Sequence, residues 1–291
     1  MRALGKGAFV RLKGQPLPLF TGARAVPHLS PLLNVMIGAA KDAAKVLRRD
    51  FYEVEALQVR KKGAADFVSK ADLAAEEAIR AALSKGRPKY GMVLEESGEV
   101  EGADNSNRWI VDPLDGTTNF LHGMPQFAIS IALERDREPF AGVVYAPILD
   151  EMYYAEKGFG AYLNDRRLRV SGRQDLSEAL VGCGLPFKGM PGREQALIET
   201  ERVLKETAGV RRFGSAAYDL CMTASGRLDG YWERGLNTWD CAAGIVVARE
   251  AGGQVSTIET DEGRPHLDKS ILASNHHLHG ALRDVLLGKK A

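Results

Sequence analysis

Apolar positions step by four and three from Leu33 through Ile37, Ala40, Ala44 and Leu47 to Phe51, which places them on one stripe of a helix. Ser30 followed by Pro31 predicts its start, as N-cap and first helical residue. The charged stretch from Lys61 to Asp72 reads as a turn leading into a second helix that ends near Lys85. Gly86 is its stop signal, and Ser69 and Asp72 are spaced as a capping pair. Beyond it the period shortens to that of strands. Residues 90–94 form a short apolar run, Trp109-Ile110-Val111 reads as the end of a buried strand, and runs at 127–133, 141–145, 152–155 and 161–163 predict an antiparallel meander. Arg166, Arg167 and Arg169 close it; basic residues there suit an edge strand that must not pair with another molecule. The second half alternates instead: strand 179–183, helix from about Arg193 to Thr207, strand 211–213, helix through Ala216 to Leu220, strand 230–232, and a helix opening at Trp239-Asp240 and closed by Gly252-Gly253. Strands at 254–258 and 271–274 and a closing helix from His279 to Leu287 complete an α/β layer.

This change of pattern sets a domain boundary near residue 172. It separates an α+β domain, residues 29–172, from an α/β domain, residues 173–291, within a 291-residue chain long enough for one large or two ordinary domains. Residues 1–28 carry five basic side chains, three prolines and no acid, without a continuous apolar centre, and are expected to be a flexible extension rather than a signal peptide. Over the whole chain charge is balanced: 39 Lys and Arg against 38 Asp and Glu leave no field that gathers nucleic acid or an anionic membrane. Three scattered cysteines form neither a disulfide framework nor a zinc spacing, which fits a cytoplasmic protein. His276, His277 and His279 crowd together without an acid partner and are expected at the surface.

Candidate chemistry concentrates in Trp109-Ile110-Val111-Asp112-Pro113-Leu114-Asp115-Gly116-Thr117-Thr118-Asn119-Phe120. Two carboxylates sit where Pro113, lacking an N–H, is expected to end strand pairing, and the freed Leu114 carbonyl can join them as a third oxygen. Hard cations such as Mg²⁺ take such an all-oxygen shell. Gly116 opens a tight turn, and Thr117, Thr118 and Asn119 then supply hydroxyl and amide groups at a helix or turn start, where free backbone N–H groups favour an anion. Taken alone, a D-x-x-D-G string is more often simply a turn, with Asp bonding its own backbone and Gly supplying positive φ. Glu95-Glu96-Ser97 follows a strand 17 residues before Asp112, Gly214-Ser215-Ala216 opens a helix with small residues, and Asp240 stands in a first helical turn, where an acid suits the dipole without further purpose.

The dodecamer closely resembles the metal-and-phosphate signature of the inositol monophosphatase-like family. The E-E-S element and Trp239-Asp240-Cys241-Ala242-Ala243-Gly244 extend the resemblance over residues 30 to 285 in the family's order. The resemblance implies a layered α-β-α-β-α sandwich of the inositol monophosphatase and fructose-1,6-bisphosphatase type, commonly a homodimer. It implies a Mg²⁺-dependent, lithium-sensitive hydrolysis of inositol monophosphate or a similar polyol phosphate, by two-metal activation of water and without a phosphoenzyme. Under it Glu95, Asp112 and the Leu114 carbonyl bind the activating ion, and Asp112, Asp115 and Asp240 the second. Thr117 with Glu95 orients the attacking water, while Gly116, Thr117 and Thr118 hold phosphate. Gly214, Ala216 and Glu233, with Asp240, face the substrate, and Asp72 lies beside the metal site. Rival readings are histidinol phosphate or another sugar or nucleotide phosphate as substrate. Another is an accessory role in the transcription machinery, since the most similar members are bacterial proteins of the extragenic-suppressor type, some of which serve ribosomal RNA transcription. Arg234-Gly235-Leu236-Asn237 departs from the family near the substrate.

Overall fold

The computed structural model describes residues 29–57, 64–186 and 189–289. The extension read at 1–28 and the basic residues Lys61 and Lys62 lie outside them.

Two long helices come first, α1 (Pro31–Leu57) and α2 (Ala64–Gly86). The predicted stripe is buried: Leu33, Ala40 and Leu47 are fully inaccessible, and Met36 and Ala43 widen it. α2 begins at Ala64, so Asp72 lies in its third turn and cannot serve as the cap that the spacing with Ser69 predicts.

Eight strands follow: β1 (Tyr90–Leu94), β2 (Gly98–Val100), β3 (Asp104–Asp115), β4 (Ala128–Arg135), β5 (Glu138–Ala146), β6 (Glu151–Glu156), β7 (Gly160–Leu163) and β8 (Arg166–Arg167), with the five-residue helix α3 (Thr117–Leu121) between β3 and β4. They form one sheet in the order β2-β1-β3-β4-β5-β6-β7-β8, parallel only between β1 and β3. The meander is as predicted, and Arg166 and Arg167 lie exposed on its edge strand. Alternation divides its faces. Ile129, Ile131 and Leu133 of β4 with Val143 and Tyr145 of β5 pack against α1 and α2, whereas Ala128, Ala132, Val144 and Ala146 turn the other way. Each large apolar side chain so enclosed contributes roughly 1.5–3 kcal/mol.

The opposite face is covered by α5 (Ala216–Ala224) and α6 (Thr238–Glu250). Below them lies a second sheet of β9 (Leu180–Cys183), β10 (Gly209–Arg211), β11 (Gly230–Arg234), β12 (Gln254–Ser256) and β13 (Ser270–Ser274) in the order β10-β9-β11-β13-β12. Its outer face packs on α4 (Arg193–Glu206) and α7 (His279–Leu286) through Val181, Trp232, Val203, Leu282 and Leu286. The stack is therefore α-β-α-β-α, as expected. α6 is buried nearly all round, because it is sandwiched between two sheets rather than resting on one.

One expectation about the C-terminal layer is overturned. His276 and His277 are exposed, but His279 is 1% accessible, with Nε2 2.9 Å from Ser256 Oγ and Nδ1 2.9 Å from Ser274 Oγ. It sits at the first position of an amphipathic helix whose inward face covers β12 and β13, and Asp261 stands 4.0 Å away.

Candidate active site

The acidic residues are delivered by strand ends and helix starts. β3 does not stop at Pro113: it continues to Asp115, and Asp112 pairs with Ser130 while Asp115 pairs with Ala128. Three steps on β3 thus match two on β4, a bulge containing Pro113 and Leu114, where the missing proline N–H is not needed. Without that extra residue, side chains three apart would point to opposite faces. With it, Asp112 and Asp115 both face the side covered by α5 and α6. Asp112 accepts from the Leu114 N–H at 2.9 Å, and the Leu114 carbonyl accepts from Thr117 Oγ1 at 3.2 Å.

Asp115 is held from the other half of the chain: its Oδ2 accepts from Ser215 Oγ and from the Ala217 N–H, each at 2.7 Å. Asn119 completes this clasp. Its buried amide donates to the carbonyls of Gln126 and Phe213, both at 2.6 Å, which docks the Phe213-Gly214 turn on the signature. Gly116 adopts φ 101° in front of α3, and an added Cβ would press on Phe127, so the close turn requires glycine. Gly116 and Thr117 are half-buried and Thr118 is exposed.

Asp240 is the third residue of α6 and completes a capping box with Asn237, its Oδ2 accepting from the Asn237 N–H at 2.6 Å. The helix-start role uses one oxygen of the carboxylate and so does not preclude a role in the site. Glu95 follows β1, the parallel neighbour of β3, and shares a hydrogen bond with Asp112.

Electrostatics ties the four together. Burial first, then Glu95, Asp115 and Asp240, raises the Asp112 carboxyl well above its ordinary range. Burial and then Asp240 do the same to Asp115 against the opposing bonds from Ser215 and Ala217. Glu95 is raised by burial, against its bond to Asp112, and Asp240 is pushed up to about 6 by burial. Asp72 joins the group: it is 3% accessible, raised to about 8 by burial and then by Glu96, Glu95 and Glu76, and its Oδ1 has no hydrogen-bond partner. One helical turn on, buried Glu76 accepts from the Glu96 N–H at 3.0 Å and from the Ser97 hydroxyl, fixing the E-E-S turn.

Gly214, Ala216 and Glu233 are the residues expected to face the substrate. Glu233 is raised to about 7 by burial, opposed by a bond from the Tyr231 hydroxyl. Behind them Asp219, 1% accessible, is raised by burial and then by Glu233 and Asp115, and bonds the Gly214 N–H. Glu76, Asp219 and Tyr231 were not singled out by sequence reasoning, which read Asn119 as part of an anion cradle and Ser215 as one of the small residues opening a helix rather than as the clasp on Asp115. Only Glu76 carried a local signal, one turn beyond Asp72 on the same helix face.

The donors are carboxylate and carbonyl oxygens without thiolate or imidazole, a set that fits a hard divalent cation. Among the described residues the side chains do not close into a ready group of three metal-holding acids. They face one another at a range where each feels the others' charge.

Comparison with known proteins now discriminates among the uses of such a cluster. Residues 28–287 match the inositol monophosphatase family. This chain belongs to that family. The inositol-1-monophosphatase of Mesorhizobium japonicum is 55% identical over 254 residues, which cover 87% of this chain and 95% of that protein. The Nus factor SuhB of Escherichia coli K12 is 39% identical over 84% of this chain and 96% of its own. The crystal structure of the extragenic suppressor protein suhB from Bartonella henselae superposes with a TM-score of 0.81 at 50% identity, covering 88% of this chain and 98% of that one. The family is one of metal-dependent phosphatases, and the chain is a phosphatase by membership.

Proposed function

We propose that the protein hydrolyses inositol monophosphate, or a closely similar polyol phosphate, with Mg²⁺. The observation that carries this reading is the β3 bulge, which turns Asp112 and Asp115 to one face, within range of the charges of Glu95 and the capped Asp240. Glu95, Asp112 and the Leu114 carbonyl would hold one ion, and Asp112, Asp115 and Asp240 a second, with Asp72 accessory to them. Bound divalent ions neutralise the phosphate dianion and make water a stronger nucleophile at neutral pH.

The protein's own groups position the rest. Glu95 and Thr117 hold the attacking water, and Glu95 accepts its proton. The Gly116 and Thr117 N–H groups and Thr118 orient the phosphate oxygens. Gly214, Ala216 and Glu233, with Asp240, face the alcohol. The water oxygen forms the new bond to phosphorus as the ester P–O bond breaks, and the leaving alkoxide takes up a proton, giving inositol and phosphate. The reaction is in one step on phosphorus, without a phosphoenzyme.

Phosphate release from inositol 1-phosphate, histidinol phosphate, fructose 1,6-bisphosphate and 3′-phosphoadenosine phosphate tests the reading, with Mg²⁺, with EDTA and with Li⁺. Activity on the inositol ester that EDTA abolishes and Li⁺ inhibits is expected; equal turnover in EDTA refutes it. The protein is further proposed to be a cytoplasmic homodimer, checked by sedimentation, and among the described residues no helix is long and apolar enough to cross a membrane.

A second reading, a protein partner in the transcription machinery, draws on the relatives named Nus factor SuhB. Recovery of RNA polymerase or elongation factors by both wild type and Asp112→Asn from a lysate would support it. The balanced charge argues against direct binding to nucleic acid.

A further inference from the structure

Glu233 occupies an unusual seat. Its neighbour two residues back on β11, Tyr231, is completely buried, and the phenol hydroxyl donates to Glu233 Oε2. That is the hydroxyl's hydrogen bond among the described residues, and it fixes which carboxylate oxygen remains for a ligand. Beneath the carboxyl group lies Gly184, just past the end of β9, whose N–H donates to the Trp232 carbonyl at 3.1 Å. A Cβ built on Gly184 would fall inside the Glu233 carboxyl group, with Cδ and both oxygens in overlap. Gly184 has an ordinary backbone conformation, so what demands glycine here is the space and not the turn. The carboxylate is therefore clamped from below by bare backbone and from the side by a buried donor.

We propose that Gly184 and Tyr231 are positioning residues that present Glu233 to the hydroxyl groups of the leaving alcohol, and that this seat sets the preference for a polyol ester over a simple one. The proposal rests on the phosphatase reading above and adds to it where the selectivity is held. A hydroxyl bound by a fixed carboxylate gains a charge-assisted hydrogen bond, and a carboxylate free to swing loses much of that gain. An ester without hydroxyl groups is indifferent to where Glu233 points.

The test compares kcat/KM for inositol 1-phosphate with that for p-nitrophenyl phosphate, in Mg²⁺, for wild type, Tyr231→Phe and Gly184→Ala. The ratio is expected to fall about tenfold or more in each variant, with the loss for the inositol ester in KM. In a Glu233→Gln background, Tyr231→Phe is expected to change the ratio no further, because residues acting through one group are not additive. Equal loss on both esters would assign the two residues a merely structural role and overturn the proposal, as would an unchanged ratio. Should one variant fail to fold, the other decides. A wild type that hydrolyses both esters without preference refutes the polyol reading itself and the seat with it, whereas a selective wild type with equally selective variants refutes the seat alone.

Discussion

Gly142 on β5 lies directly against the backbone of α6 at Ala243, and replacing it with alanine tests whether that contact sets the position of Asp240. A Cβ at Gly142 would overlap the Ala243 carbonyl oxygen and stand 2.9 Å from Ala243 Cα. Comfortable carbon–carbon contact begins near 3.5 Å, so the helix must retreat by about 0.6 Å or more. Both partners are backbone in regular elements, so neither can move aside as a side chain would. Overpacking of this kind costs roughly 1–3 kcal/mol, which lowers Tm by about 2–10 °C for a domain of this size. Ala243 is one turn from Asp240, and a displacement approaching 1 Å at a group that positions the reaction costs up to about 10²-fold in rate. Thermal unfolding and phosphate release from inositol 1-phosphate should both be measured, with Gly38→Ala as the control. Gly38 is exposed within α1, meets nothing within 4 Å, and should stabilise by about 0.5–1 kcal/mol when replaced. Gly142→Ala with the wild-type Tm and rate would refute the argument that this contact seats α6.

Asp112→Asn should abolish Mg²⁺-dependent phosphate release, yet raise Tm in EDTA, because a buried charge repelled by Glu95, Asp115 and Asp240 is removed. A lower Tm in EDTA would show that the cluster is not under that repulsion. Asn119→Ala leaves the Gln126 and Phe213 carbonyls without their donor and should lower stability by about 1–3 kcal/mol. It should also weaken inhibition by inorganic phosphate, read from initial rates. His279 is held neutral, its folded pKa lowered to about 4 by burial and then by Arg283. The unfolded chain takes up that proton first, near pH 6.5. Stability is therefore complete above pH 6.5 and lost as pH falls towards 4, by about 3 kcal/mol in all. Urea unfolding at pH 7 and pH 4.5 should show a smaller difference for His279→Gln than for wild type, and an identical difference would refute the assignment.

The layered fold was legible because its signals are local. The α1 stripe, the alternation along β4 and β5 and the glycine and proline stops each lie within a dozen residues, and their burial follows the pattern. What could not be read was whatever depends on two distant segments meeting. Pro113 looked like the end of a strand because its missing N–H forbids ordinary pairing; only the register with β4 shows a bulge that accommodates it. His279 looked exposed because Ser256, Ser274 and Asp261, which enclose it, belong to other elements. Asp72 looked like a cap because it stands three residues after Ser69 beyond a charged stretch, whereas α2 begins eight residues before it. The acids Glu95, Asp112, Asp115 and Asp240 were identifiable by type and motif, whereas Ser215, Asn119 and Tyr231 are ordinary residues until the partners they hold are known.

The clasp on Asp115 has a bearing on how the protein is made. Its two donors, Ser215 and Ala217, are about a hundred positions downstream, and Asp240 comes later still. A ribosome that has released only the first sheet has produced a scaffold in which Asp115 still lacks both of its donors. The acidic cluster is therefore assembled only after Ser215, Ala217 and finally Asp240 have been added to the growing chain.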